Sequence, residues 1–276
     1  MSGNVAVITG GSGALGGATA CALANRGVTV ALVDKRLGNA RITAEKCTAQ
    51  GGRAKVYEVD QSDARAVAAV VDTINKDLGR IDYLFANAGW GKFSTILDLS
   101  VEEWNKTILI NLSGTFYFCQ SVARKMVEKS IQGSIVITAS SGAETPIDRV
   151  AAYDCSKAAC VMLAKHLACE LGQYRIRANA ILPGVIESGM TAPMLNEVGY
   201  RRMLERGTPL GRWGRAEEVA DLVEFLLSDR SAYINGAAIR IDGGASLRGL
   251  PKWFDMDYSE NGEKGTNSEF QRYPYI

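Results

Sequence analysis

Apolar positions along the chain alternate between two rhythms. Short apolar runs occupy 5–8, 28–33, 54–59, 81–86, 134–138, 176–181 and 238–241, bounded by Gly, Asp, Asn or Pro. Several are rich in β-branched residues, as strands buried on both faces require. Longer stretches with helical spacing lie between them, near 15–26, 39–50, 63–78, 101–111, 112–130, 151–172 and 216–227. Strand and helix repeated in this way predict right-handed crossovers and a sheet covered by helices on both faces. The expected fold class is α/β, with a single doubly wound domain over 1–246 built on a mostly parallel, seven-stranded sheet. Residues 247–276 break the rhythm yet carry Trp253, Phe254, Tyr258, Phe270, Tyr273 and Tyr275. A disordered tail is normally poor in aromatics. This extension is therefore expected to dock on the body or on a neighbouring subunit.

Composition narrows the chemistry. The 276 residues carry 31 basic and 30 acidic side chains, a net charge of +1. That balance gives no electrostatic footprint for nucleic acid or an anionic membrane. No run approaches the ~18 apolar residues of a membrane span. Met1 to Asn4 lacks a basic start and the apolar run at 5–8 is short, so no secretory signal is expected. The six cysteines (Cys21, Cys47, Cys119, Cys155, Cys160, Cys169) form no CxxC pair and fall mostly in helical patterns. They read as reduced, buried thiols of a cytoplasmic protein. One histidine, His166, argues against a histidine-built metal site or a Ser-His-Asp triad, and no metal is expected.

The first strand runs into Thr9-Gly10-Gly11-Ser12-Gly13-Ala14-Leu15-Gly16, and a helical pattern follows. Glycines serve where a turn is tight and where the backbone must approach a pyrophosphate, which then meets the free N–H groups of a helix N-terminus. Gly11, Gly13 and Gly16 form a GxGxxG, a weak signal alone, strengthened here by the strand before it and the helix after it. Asp34 ends the second strand, where a carboxylate can accept both ribose hydroxyls of NAD. The same carboxylate would face the 2′-phosphate of NADP, at about 4 kcal/mol for a separation of ~4 Å and an effective dielectric near 20. Lys35 and Arg36 follow and would partly neutralise it. NAD is the expected cofactor, with NADP the lesser alternative.

Tyr153 and Lys157 stand four apart in a helical pattern over 151–159, which places them on one helix face. A neutral phenol is a poor base at neutral pH, and an adjacent ammonium favours its ionised form. The pair is thus a candidate acid/base for moving a hydroxyl proton as hydride leaves the same carbon.

In this arrangement the chain resembles the short-chain dehydrogenase/reductase family, over residues 3 to about 246. The markers in family order are the turn at 9–16, Asp60, Asn87-Ala88-Gly89, Asn111, Ser140, Tyr153-x3-Lys157, and Pro183-Gly184 with Ser188. Ser140 precedes Tyr153 by thirteen residues, the spacing that the family uses. The resemblance implies a Rossmann-like fold and an NAD-dependent secondary alcohol dehydrogenase or ketone reductase. It implies catalytic roles for Asn111, Ser140, Tyr153 and Lys157: the serine holding the substrate oxygen, the lysine also binding nicotinamide ribose hydroxyls, the asparagine anchoring a water relay. The implied cofactor-binding set is Gly10, Ser12, Gly13, Ala14, Leu15, Gly16, Asp34, Lys35, Asp60, Gln61, Asn87, Ala88, Gly89, Tyr153, Lys157, Pro183, Gly184, Ile186 and Ser188. Two departures stand out: Ala14 replaces the middle glycine of the usual turn, and Ser188 replaces the usual threonine.

By the same analogy Trp90, Ser141, Arg149 and Met190 line the substrate pocket, together with the segment from 186 to about 213. Arg149, Arg201, Arg202 and Arg206 would suit an anionic substrate, or would simply form a solvated face. Relatives of this type imply a homodimer or homotetramer through the helices at 101–130 and 151–172. The competing readings are a catalytically silent NAD(P)-sensing protein on the same fold, an NADP-using carbonyl reductase, and an enoyl reductase, whose family members space Tyr and Lys further apart.

Overall fold

Val5–Thr9 (β1) is buried along its whole length, and its side chains point alternately to two separate cores. Ala6 and Ile8 face one layer of helices and Val7 the other, as the two-residue period of a strand demands. This is a computed structural model, and it describes residues 1–189 and 191–247. Met190 and the extension after Leu247 lie outside the described residues.

Around β1 the sheet runs Arg53–Glu58 (β3), Thr29–Asp34 (β2), β1, Tyr83–Ala86 (β4), Ser134–Thr138 (β5), Arg177–Pro183 (β6), Ala238–Ile241 (β7), in that order. All six neighbouring pairs are parallel, so the fold is a doubly wound, Rossmann-like α/β structure. Chain order reverses at β1, where β2 lies on one side and β4 on the other. The crevice beyond the carboxyl ends of β1 and β4 is thus the place where such a sheet accepts a ligand.

Ala14–Asn25 (α1), Leu37–Ala49 (α2) and Ala216–Leu227 (α9) cover one face, with Leu23, Cys47, Val219 and Val223 against Ile8, Leu32 and Phe85. Ala64–Leu78 (α3), Thr115–Glu128 (α5) and Ala151–Leu171 (α6) cover the other, with Ile74, Phe118, Val122 and Cys160 against Leu84, Ile135 and Ile137. The Asp63 carboxylate caps α3 by accepting the N–H groups of Arg65 and Ala66, and Gly79 ends it at φ 82°. The first turn of α1 receives no side-chain cap from Gly13.

Three expectations need correction. The stretch 101–130 is not two separate helices: Val101–Ile108 (α4) passes without a break through a π-helical turn at Leu109–Gly114 into α5. One extra residue in that turn shifts the apolar phase, which periodicity alone reads as a break. The segment 186–213, where periodicity set no helix, contains helices at Ala192–Leu195 (α7) and Val198–Gly207 (α8). Finally, Cys155 and Cys169 are exposed, whereas Cys47, Cys119 and Cys160 are buried. Among the described residues no helix is long and apolar enough to cross a membrane.

Phe118 on α5 is fully buried between the helix layer and the sheet. Replacing it by alanine should lower the unfolding free energy by about 3–5 kcal/mol, the usual result of emptying an aromatic site in a close-packed core. Urea denaturation followed by circular dichroism measures it.

Candidate active site

The end of β1 turns sharply because Gly10 sits at φ +66°, a conformation that L side chains rarely adopt. A Cβ at Gly10 would lie 2.9 Å from the Ala88 Cα, and one at Gly16 would collide with the Gly10 carbonyl oxygen. The turn is thus folded tightly on itself and on the loop leaving β4. Gly13 and Ala14 are both exposed, so the Ala14 methyl, which departs from the family turn, points into no core. Behind Ser12 and Leu15, the first turn of α1 presents N–H groups and the positive end of the helix dipole.

Asp34 lies across from this turn, its carboxylate held by two main-chain donors: Ser12 N–H at 3.1 Å and Arg36 N–H at 2.9 Å. Lys35 does not approach Asp34. Its ammonium pairs with Asp60 at 2.5 Å, and with the Ser62 hydroxyl and N–H it holds the Asp60 carboxyl down at about 2. Lys35 thus braces the neighbouring loop, a different task from the charge neutralisation expected of it.

Thr9 links the strands at the crevice. Its hydroxyl accepts the N–H groups of Asn87 and Ala88, and the Asn87 amide donates to the Thr9 carbonyl at 3.2 Å. Thr138, at the end of β5, donates to Asn87 Oδ1 at 3.2 Å. Gln61 donates to the carbonyls of Ala88 and Ile110, so this side chain spans the loop and the π-helical turn. Gly114 lies so close to Gln61 that a Cβ would meet its carbonyl oxygen at 2.7 Å.

The fully buried Asn111 sits inside the π-helical turn. Its Oδ1 accepts the Trp90 N–H at 2.8 Å, while Nδ2 donates to the Trp90 carbonyl at 2.8 Å and to Ser156 Oγ at 3.0 Å. Both donors and the acceptor of the amide are therefore engaged, and the Asn111 main-chain carbonyl accepts from Thr115 at 2.7 Å and, more weakly, from the Cys160 thiol at 3.3 Å. Lys157 is 3% exposed and donates to the Thr138 carbonyl at 2.7 Å. Its ammonium stands 5.5 Å from the ring centroid of the half-buried Tyr153. Two glycines allow the 87–91 loop to pass through this group. A Cβ at Gly89 would meet both Asn111 Oδ1 and Lys157 Nζ at 3.4 Å, and one at Gly91 would meet the Tyr153 ring at 3.1 Å. Ser140, 7% exposed, ends the β5 segment and accepts the Gly142 N–H at 3.1 Å.

The structure thus gathers Asn111, Tyr153 and Lys157 around residues 89–91, with Ser140 two residues beyond Lys157's anchor at Thr138. Pro183 and Gly184 lie at the end of β6, where Gly184 packs on Asp242 and Ile186 bridges to Gly214. Ser188 exchanges hydrogen bonds with Thr191. Ser141 opens the 3-10 turn after Ser140, and Trp90 lies beneath the Lys106 ammonium, 4.3 Å from its ring centroid. Arg149 is exposed at φ +68°, its carbonyl taken by Ser94 N–H. Arg201 is spent on the Trp213 ring and on Glu205. Sequence reasoning missed Thr138, Ser156 and Gly91, whose roles rest on long-range contacts; only Thr9, at the head of the glycine turn, stood in a recognisable motif.

Comparison with known proteins gives a consistent picture. A family model described as enoyl-(acyl carrier protein) reductase matches residues 11–246. D-threitol dehydrogenase of Mycolicibacterium smegmatis is 35% identical over 255 residues, covering 90% of this chain and 95% of that protein. The 2,3-dihydro-2,3-dihydroxybenzoate dehydrogenase of Bacillus subtilis is 33% identical, with coverage of 90% and 97%. The crystal structure of levodione reductase superposes with a TM-score of 0.86 at 34% identity, covering 90% of this chain and 99% of that one.

The crowding at the glycine turn supplies a direct test. Gly16→Ala forces the Gly10 carbonyl away and should weaken binding of a nicotinamide dinucleotide, NADH or NADPH, by about tenfold or more, ~1.4 kcal/mol per decade. Fluorescence titration with NADH measures the change, and circular dichroism checks that the fold is retained.

Proposed function

The chain belongs to the short-chain dehydrogenase/reductase family, and from that premise we propose that it is an NAD(H)-dependent oxidoreductase interconverting a secondary alcohol and a ketone. At the coarser level it is an oxidoreductase of a family that acts on alcohols and ketones. The observation that carries the finer reading is the approach of a buried, fixed Lys157 ammonium to the Tyr153 ring beside the crevice.

The residues present fit a dinucleotide. Gly10 and Gly16 leave a cradle that a Cβ would fill, and α1 offers an uncapped N-terminus to the diphosphate. Asp34 would take the adenosine ribose hydroxyls, with Asp60 and Gln61 near the adenine and Asn87, Ala88 and Gly89 along the cleft. Lys157 would hold the other ribose, and Pro183, Gly184, Ile186 and Ser188 would flank the nicotinamide. When bound, the nicotinamide supplies or accepts the hydride.

The protein's own part is to hold the substrate oxygen and move its proton. Gly142 N–H occupies a lone pair of Ser140 Oγ, leaving the serine proton free for a substrate oxygen. Tyr153 takes the hydroxyl proton during oxidation and returns it during reduction, and Lys157 stabilises the charge that develops on the phenol oxygen. A water relay at Asn111 would have to replace the weak Cys160 thiol contact on its main-chain carbonyl, since the side-chain amide is engaged by Trp90 and Ser156.

NAD is favoured over NADP because Ser12 and Arg36 hold the Asp34 carboxylate in place while Lys35 is drawn off to Asp60. A 2′-phosphate ~4 Å away would cost about 4 kcal/mol at an effective dielectric near 20. The names of the relatives, a D-threitol dehydrogenase and a 2,3-dihydro-2,3-dihydroxybenzoate dehydrogenase among them, support a small hydroxylated substrate. The engaged Arg201 gives an anionic substrate less support. Exposed Leu109, Phe116 and Met162 on the 101–128 helix and α6 support a homodimer or homotetramer.

Two measurements test this reading. NAD reduction screened over D-threitol and a panel of secondary alcohols should find turnover, and Tyr153→Phe should lower kcat by at least ~10²-fold with NADH affinity intact, as expected of a positioned acid/base. Near-normal kcat in that variant removes Tyr153 from the role. Asp34→Ala should raise the NADP-to-NAD ratio of kcat/KM by at least about tenfold, read from initial rates with each cofactor.

A further inference from the structure

Asp154 follows Tyr153 directly in the first turn of α6, and it is 7% exposed. Its Oδ2 accepts the Ile147 N–H at 2.8 Å, while its buried Oδ1 has no hydrogen-bond partner among the described residues. Burial raises its carboxyl above the usual range. What lies against Oδ1 is the main chain of Gly142: a Cβ there would collide with the carboxylate, so a side chain at 142 would force Asp154 to move. The Gly142 N–H in turn donates to Ser140 Oγ. An unpaired buried carboxylate is costly, and an apolar side chain would fill the same space without that penalty. The group therefore earns its place by what it holds.

We propose that Asp154 is a positioning residue that fixes the Ser140 hydroxyl through Gly142, by clamping the 141–149 strap at Gly142 and Ile147. The inference rests on the reading of Ser140 and Tyr153 given above. The carboxylate seats the Gly142 α-carbon, which aims the Gly142 N–H at Ser140 Oγ and turns the serine proton toward the cleft. Because Asp154 is the chain neighbour of Tyr153, the clamp also ties the serine to the helix that carries the phenol. The two groups that must reach one substrate oxygen then keep a constant relation. Other contacts hold the strap as well: the Ala143 N–H on the Ser140 carbonyl at 2.9 Å, the Glu144–Arg240 ion pair at 2.5 Å, and Ser94 N–H on the Arg149 carbonyl at 2.7 Å. Asp154 adds the contacts at Gly142 and Ile147 that tie it to α6.

The test uses the full chain with NADH, comparing Asp154→Ala, Asp154→Asn and Gly142→Ala. Hydrogen–deuterium exchange over 140–149 should speed up by about tenfold in Asp154→Ala, with NADH affinity unchanged. With D-threitol, or whichever alcohol of the panel is turned over fastest, kcat should fall by about tenfold and KM much less. Asp154→Asn keeps an acceptor for Ile147 N–H and should restore most of both. Gly142→Ala should copy Asp154→Ala, and the double variant should be no worse than either single one. Unchanged exchange over 140–149 overturns the proposal, as does faster exchange with normal kcat, or failure of asparagine to rescue. If the unmodified chain turns over no alcohol, the functional reading fails, and the exchange result still decides whether the clamp exists.

Discussion

A buried primary amide with both its hydrogens donated and its oxygen accepting holds the site together. Asn111 grips Trp90 from both sides and reaches Ser156 with its remaining hydrogen. Three elements distant in sequence, the loop after β4, the 101–128 helix and α6, therefore share one small polar node. Such a node is stable only when complete, because a buried donor or acceptor left without a partner costs ~1–3 kcal/mol. Gln61 extends the node to Ile110 and Ala88, and Thr9 carries it on to the glycine turn. The crevice is thus rigid where the proton chemistry would occur.

Lys157 poses the complementary electrostatic problem. It is almost wholly buried, it donates to a carbonyl, and among the described residues no carboxylate lies within ion-pair distance of it. A cation held in this way favours negative charge nearby, and the Tyr153 ring lies 5.5 Å from it. The same charge keeps its influence within the fold: it acts to lower the Cys160 thiol against the stronger upward push of burial. Stability given up at this residue is offset by the packed layers on both sides of the sheet.

Much of this was readable in the sequence for local reasons. Short apolar runs mark the seven parallel strands, most clearly β1, β4 and β5, which are buried along their whole length, and less clearly the edge strands β3 and β7, which carry exposed charged positions. Gly10 and Gly16 stand out because their backbone geometry excludes a side chain, and Tyr153 and Lys157 because four residues make one helical turn. What escaped depends on contacts made across the fold. Lys35 turns to Asp60 because β2 pairs with β3 in a register that brings Asp34 opposite Glu58 and the two following loops together. Asp154 carried no signal in the sequence, because its burial depends on the distant contacts with Gly142 and Ile147. Helix α8 is short, arginine-rich and flanked by glycines, the composition of a loop.

The π-helical turn at Leu109–Gly114 separates what makes the protein fold from what would make it work. A wide turn accommodates one residue beyond regular helical phasing, and removing one residue lets such a turn relax to ~3.6 residues with the flanking faces still aligned. Phe118, Val122 and Met126 would keep their places on the sheet after such a shortening. The Ile110 carbonyl and the Asn111 amide would not, since both owe their direction to the widened turn. A single codon lost here would therefore yield a well-folded molecule with its central polar junction dismantled.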